Sequence, residues 1–372
     1  MEQPVERLAR VEIAGFKSIR QTSLELRPIN VLIGANGAGK SNLVSFFKMV
    51  GSMMTRNLQL FVAKSGYAPS LLRFGPKITP EIEATFAYHT REGSNTYLMR
   101  LVHAAGDTLI FADESLAFQR AGSSTLRRIS LGAGHKESLL PGAAPTHKMA
   151  EVARFCMSRY RVFQFHDTSE SARIRGKGDI ENSGFLMADA GNLAAVLYRL
   201  KSSQPTYYDR IVSTIRQIAP FFDDFVLAPD RDNPAMIALR WKQTDSEYDF
   251  GPHQLSDGTL RTMALITLLL QPEADLPALV VLDEPELGLH PYAVTVIGGL
   301  IRAAALGRQF ILATQSTAFL DQFDIEDVVV VEQRQGASVF ERRSADQLKE
   351  WREAYSLSEL WEKNVLGGRP AP

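Results

Sequence analysis

Ile29-Asn30-Val31-Leu32-Ile33 runs directly into Gly34-Ala35-Asn36-Gly37-Ala38-Gly39-Lys40-Ser41, and the chain is best understood outward from that junction. The eight residues match G-x-x-x-x-G-K-[ST] in full, between an apolar strand and a helical pattern (Leu43, Val44, Phe46, Phe47, Val50). The chemistry explains the layout. Phosphates need a ring of backbone N–H donors at close range, and glycines let the chain turn that tightly. The following helix points its positive N-terminal end at the same anion. Asn36, Gly37, Ala38, Gly39 and Asn42 are therefore expected to line a nucleotide, Lys40 to face its β/γ-phosphates, and Ser41 to offer a hydroxyl to Mg²⁺.

Composition narrows the class. The chain has 372 residues, 45% hydrophobic and 22% charged, ordinary values for a globular protein with a sizeable core. Lys+Arg total 41 and Asp+Glu 42, so any affinity for nucleic acid must come from a local basic patch. The single cysteine, Cys156, excludes an internal disulfide framework and predicts a cytoplasmic home. The longest apolar run, Met263 to Leu270, is too short to span a bilayer, so no membrane insertion is expected.

Toward the N-terminus, Leu8–Ile13 and Ser23–Leu26 read as strands. From Pro80 to Phe118 the pattern is β-like and predicts an antiparallel lobe. Residues 121–147, rich in Gly, Ser and Pro, read as a mobile loop carrying Arg127, Arg128 and Lys136. Helical patterns cover Lys148–Tyr160, Asn192–Lys201, Tyr207–Ile218, Thr259–Leu270 and Tyr292–Ala305. Ala278–Leu282, Phe310–Ala313 and Val328–Glu332 read as buried strands, and their alternation with helices predicts a parallel α/β core.

Val280-Val281-Leu282-Asp283-Glu284 brings two acids to the edge of that core. Asp283 suits the Mg²⁺ shell and Glu284 the attacking water. Upstream, Gln254-Leu255-Ser256-Asp257-Gly258 resembles the LSxGQ signature of ABC ATPases. In isolation LSDG reads as a helix cap. At this distance before Asp283 it reads as a second anion site, formed by Ser256 and Gly258, that in ABC dimers closes over the nucleotide of the other subunit. The same resemblance places a switch residue at Gln315, after Phe310-Ile311-Leu312-Ala313-Thr314, where ABC proteins carry histidine. Glutamine hydrogen-bonds but does not titrate in this range. It also places a Q-loop glutamine, a metal and water contact, at Gln164 in Val162-Phe163-Gln164-Phe165-His166; an ordinary turn glutamine is the alternative. His166 has no nearby Cys or second His and reads as structural.

Taken with Ile13-Ala14-Gly15-Phe16-Lys17-Ser18-Ile19, LDEPELGLHP and ATQS, these motifs resemble the RecF/SMC/OLD branch of ABC ATPases, and more closely the stand-alone AAA_21-type bacterial ATPases, with Septu and PARIS-like defence ATPases as relatives. The resemblance implies an ABC-type P-loop head with a mixed, largely parallel core sheet, an antiparallel β lobe and a helical signature lobe. It divides the chain into 1–165 (N-terminal ATPase lobe), 166–260 (signature lobe), 261–345 (C-terminal core) and 346–372 (helical tail). It adds Lys17 and Ser18 to the nucleotide set, and His290 across a dimer seam; a helix cap before Pro291 is the other reading of His290. It implies a homodimer around ATP and Mg²⁺, or a larger assembly, linked to DNA or RNA. About 215 residues separate Lys40 from Ser256 without sustained heptads, which favours a compact head over a coiled-coil protein. About 50 residues follow Gln315 and lack a DxD pair, so no built-in nuclease is expected and a separate effector is implied. Alternatives are an ATPase subunit driving a transporter and a slow ATP-binding scaffold. Arg173, Arg175 and Lys177, like Arg127, Arg128 and Lys136, read either as phosphate contacts or as solvated loops.

Overall fold

Two six-stranded sheets sandwich one helix, and the phosphate loop opens that helix. The computed structural model describes residues 7–143, 147–343 and 355–367. The first sheet is antiparallel: β1 (Arg7–Phe16), β2 (Ile19–Glu25), β4 (Glu81–Thr90), β5 (Gly93–Ala104), β6 (Thr108–Arg120) and β7 (Leu126–Gly132), in the order β2-β1-β4-β5-β6-β7. The second contains β3 (Ile29–Ile33), β8 (Tyr160–Phe163), β9 (Leu279–Asp283), β10 (Gln309–Thr314), β11 (Val328–Arg334) and β12 (Ala337–Arg342), in the order β12-β11-β3-β10-β9-β8. All its pairings are parallel except β11–β12.

Side chains alternate across a strand, so the parallel sheet has two apolar faces. Leu32, Val281, Ile311 and Val329 face α1 (Lys40–Met54) and the antiparallel sheet. Val31, Val280, Leu312 and Val330 join the core of the helical lobe, made of α3 (Leu193–Ser203), α4 (Pro205–Ile218), α5 (Asp257–Leu270) and α6 (Pro291–Ala304). From Thr262 to Leu270 every residue of α5 is buried, as its continuous apolar run requires. The short α7 (Leu357–Glu362) docks Leu357, Leu360 and Trp361 into the same core; 346–354 and 368–372 of the expected tail lie outside the described residues.

One expectation is corrected. Residues 121–147 do not form a single loop: they contain β7 and a helical turn at Leu140–Ala143. The glycines and serines mask a strand because β7 lies at the sheet's edge and is mostly exposed, so it carries no apolar periodicity. Its pairing with β6 (Phe118↔Arg127, Ala117↔Arg128) supplies the order.

Candidate functional site

Gly39 begins α1 with φ +114°, and a Cβ there would lie 1.9 Å from Ser338 Oγ. Ser338, on β12, donates to Ala38 O at 2.6 Å and lies 2.6 Å from Ser18 Oγ, which in turn accepts from Asn42 Nδ2 at 2.5 Å. Lys17 (φ +47°) donates to Ser45 Oγ at 2.8 Å. Ser18 and Asn42 thus brace the loop from outside, and Ser338, invisible as a motif, locks it from behind. Lys40 is 6% exposed and donates to Gly34 O (2.6 Å) and Ala35 O (3.1 Å). Burial pushes its ammonium below the usual lysine range, while the carboxylates of Glu284, Asp283 and Glu286 pull it back up.

Those carboxylates arrive from β9. Asp283 accepts from Gln164 Nε2 at 2.7 Å, and its carbonyl meets His166 Nε2 at 2.8 Å, so His166 is structural. Gln164 Oε1 accepts from Lys48, two turns after Lys40 on α1. Asp283 holds the Lys48 ammonium toward its charged form against the lowering effect of burial. A cationic head therefore already sits at Gln164 under the influence of the Asp283 carboxylate, and oxygen donors of this kind suit Mg²⁺. Glu284 has φ +44°, a costly conformation for a non-glycine residue, and its Oε1 accepts from Gln315 Nε2. The structure thus brings together Lys40, Asp283, Glu284, Gln164 and Gln315.

Glu286 joins them unannounced by the sequence. It accepts from Thr314 Oγ1, its Oε2 is buried without a partner, and burial raises its pKa. A raised folded pKa means the folded state holds the proton more tightly, so this group's contribution to stability falls as pH rises from the ordinary glutamate range through the raised value. Glu286→Gln removes that loss. Its melting temperature relative to wild type is expected to climb as pH rises above the ordinary glutamate value of 4.5, each pK unit of elevation being worth about 1.4 kcal/mol. A pH-independent difference refutes the assignment.

The signature segment stands apart from this cluster. Ser256 is exposed, caps α5 by accepting from Thr259 N at 3.1 Å, and among the described residues its hydroxyl otherwise meets only Thr259 Oγ1 (2.8 Å). A Cβ on Gly258 would lie 2.2 Å from Gly288 O, so the helix start and the loop after Glu284 are interlocked. His290 caps α6, its Nδ1 accepting from Tyr292 N at 3.3 Å.

Two arginines hold this region. Arg261 donates to Phe165 O (3.0 Å), His166 O (2.7 Å) and Leu287 O (3.1 Å), tying α5 to the Gln164 segment and to the loop after Glu284. Arg175 donates to Thr168 O (2.7 Å), Pro252 O, Leu255 O and Asp257 Oδ1 (2.7 Å). Of the two readings of Arg173, Arg175 and Lys177, phosphate contact is thereby corrected for Arg175. Arg175 is buried against the signature segment, while Arg173 pairs with Asp189 and Lys177 with Asp230.

Residues 124–321, more than half of the chain, match the family described as AAA domain, putative AbiEii toxin, Type IV TA system. Residues 7–70 match a family of unknown function, DUF2813. The Old nuclease of Escherichia phage P2 is 43% identical over 53 residues, which is 14% of this chain and 9% of that protein's length. Among solved structures, an Smc head bound to the C-winged helix domain of ScpA superposes with TM-score 0.61 at 14% identity, covering 92% of this chain and 99% of that one. An Smc head with an extended coiled coil, bound to the C-terminal domain of ScpA derived from Pyrococcus furiosus, gives 0.59 at 13%, covering 94% and 99%. No helix among the described residues is long and apolar enough to cross a membrane. The fold is that of an ABC-type P-loop head, and the chain belongs to the ATPase family described as AAA domain, putative AbiEii toxin, Type IV TA system.

Proposed function

We propose that this is a cytoplasmic ATPase that dimerises around ATP and uses hydrolysis to gate a nucleic-acid-linked process, in phage defence or DNA repair, through a separate effector protein. The observation that carries the dimer is the isolation of Ser256: it is exposed, hydrogen-bonded among the described residues only within its own helix turn, and stands on a helix start of the kind that binds anions. Lys40, Asp283, Glu284, Gln164 and Gln315 already form a hydrolytic cluster without it. A second copy supplying Ser256 and Gly258 completes the surroundings of the γ-phosphate, so ATP links the two.

In this reading Lys40 receives the β/γ-phosphates and the backbone from Asn36 to Asn42 wraps them. Ser41, Asp283 and Gln164 would hold Mg²⁺, which supplies charge neutralisation of the phosphoryl oxygens. Glu284 orients the attacking water and takes its proton, with Gln315 fixing its carboxylate. Hydrolysis removes the γ-phosphate contact and loosens the pair. The effector and the trigger belong to the proposal by family likeness alone.

Size in solution tests the scheme. With saturating ATP and Mg²⁺, Glu284→Gln is expected to run as a dimer. Glu284→Gln with Ser256→Arg is expected to bind ATP and stay monomeric. A monomeric Glu284→Gln protein, or a double variant that dimerises undiminished, rules the sandwich out.

A further inference from the structure

At the end of the antiparallel sheet farthest from the phosphate loop, three strands place three side chains in one row. Asn95 on β5 is opposite Phe118 on β6, and Phe118 is opposite Arg127 on β7. Directly opposed residues share a face, and neighbouring strands lie about 4.8 Å apart, so an amide, a ring and a guanidinium stand side by side. The same row continues through Tyr88 to Leu8, at the start of β1. Phe16, at the other end of β1 next to Lys17, is about 27 Å of strand away.

This row floors a groove of about 490 Å³ walled by Met149 and Val152 of α2 (Lys148–Met157), continuous with a second cleft of about 830 Å³ that shares Phe118, Arg91 and Arg127. Asn95 is 5% exposed as a residue, and its amide makes no side-chain hydrogen bond among the described residues while lining the groove. Its donor and acceptor are therefore open to a ligand in the groove. Phe118 is half-buried, with room against its ring. Arg91, Arg120 and Arg127 are exposed and pair with no acid among the described residues, whereas Arg128 is engaged by Asp113 at 3.2 Å.

We propose that this groove binds single-stranded nucleic acid, one base seated against Phe118 and the Asn95 amide, and the flanking phosphates held by Arg91, Arg120 and Arg127. Glu92 also borders both clefts, its carboxylate facing the Lys148 ammonium at 3.4 Å, and the other lining groups are complementary to a nucleic-acid strand. An asparagine amide reads a base edge with a donor and an acceptor, an aromatic ring stacks any base, and unpaired guanidiniums attract phosphates. Duplex DNA keeps its bases stacked inside and cannot fill the row. The inference rests on the proposed function for its class of partner, but not for the ATP-bound dimer.

The test uses the full chain without nucleotide, so dimerisation does not enter. Fluorescence anisotropy is read with labelled oligo(dT) and oligo(dA) of about 15 nucleotides. Phe118→Ala is expected to weaken binding about tenfold or more. Arg120→Glu with Arg127→Glu, both on the surface, is expected to weaken it at least as much and to reduce the salt slope by about two. Asn95→Asp is expected to narrow the difference between oligo(dA) and oligo(dT). ATP turnover without oligonucleotide should be unchanged in the charge-reversal variant. Wild-type affinity in that variant overturns the site. So does equal affinity for duplex, for an abasic oligomer, for polyglutamate or for a free mononucleotide. Oligonucleotide binding without ATP-driven dimerisation would sink the function proposed above and leave this site standing.

Discussion

Glu284→Gln is expected to lower ATP turnover by about a hundredfold or more while leaving ATP binding intact. Glutamine keeps the size of the side chain and an oxygen for Gln315 Nε2, so the geometry at the end of β9 survives. It cannot take a proton from water, and that is the step the substitution removes. The backbone already holds Glu284 at φ +44°, a strained conformation that places this one carboxylate and is worth keeping only if its position matters. Phosphate release and equilibrium ATP binding separate the two effects. Turnover within about threefold of wild type would remove Glu284 from the chemistry. Loss of binding as well would mean that its charge, felt by Lys40, serves the ground state instead.

The second large effect is on stability. Arg175→Met is expected to destabilise the chain by about 3 kcal/mol, because an apolar side chain of similar length leaves the carbonyls of Thr168, Pro252 and Leu255 without their donor in a dry environment. Arg173→Met, two residues away, removes an ion pair whose side chains are 64% and 42% exposed and a weak contact to Met187 Sδ at 3.3 Å, and should be close to neutral. Thermal melts of the two variants side by side make the contrast. If Arg175→Met melts with Arg173→Met, the signature segment does not depend on this clamp. ATP turnover of Arg175→Met should also fall, since Pro252 to Leu255 leads directly into Ser256 and α5.

The contrast between these two arginines also marks how far the sequence could be read. ARIRGKGD carries its charges openly, but nothing in its spacing says which guanidinium points inward; that depends on carbonyls about 80 positions away, at Pro252 and Leu255. By comparison β3, the glycine loop and α1 are contiguous, with local chemistry that specifies strand, turn and helix, and they fold as the pattern implies. Asp283 and Glu284 were legible for the same reason, at the end of an apolar strand. Lys48 had a usable signal, two helical turns from Lys40 on one face of α1, but its partners Gln164 and Asp283 come from distant strands. Ser338 and Glu286 acquire meaning only when β12 and β10 are brought beside the loop. β7 stayed hidden because an exposed edge strand needs no apolar alternation.

The place of β3 in its sheet has a consequence for how the protein is made. β3 hydrogen-bonds to β10 on one side and β11 on the other, and Asn30 meets the carbonyl of Phe310, 280 positions later. A ribosome adding roughly 5–20 residues per second delivers the glycine loop long before either neighbour exists. For most of synthesis, the nascent chain therefore carries an apolar strand with two open edges. Nucleotide affinity should be acquired late and all at once, when the last quarter of the polypeptide closes around the first tenth.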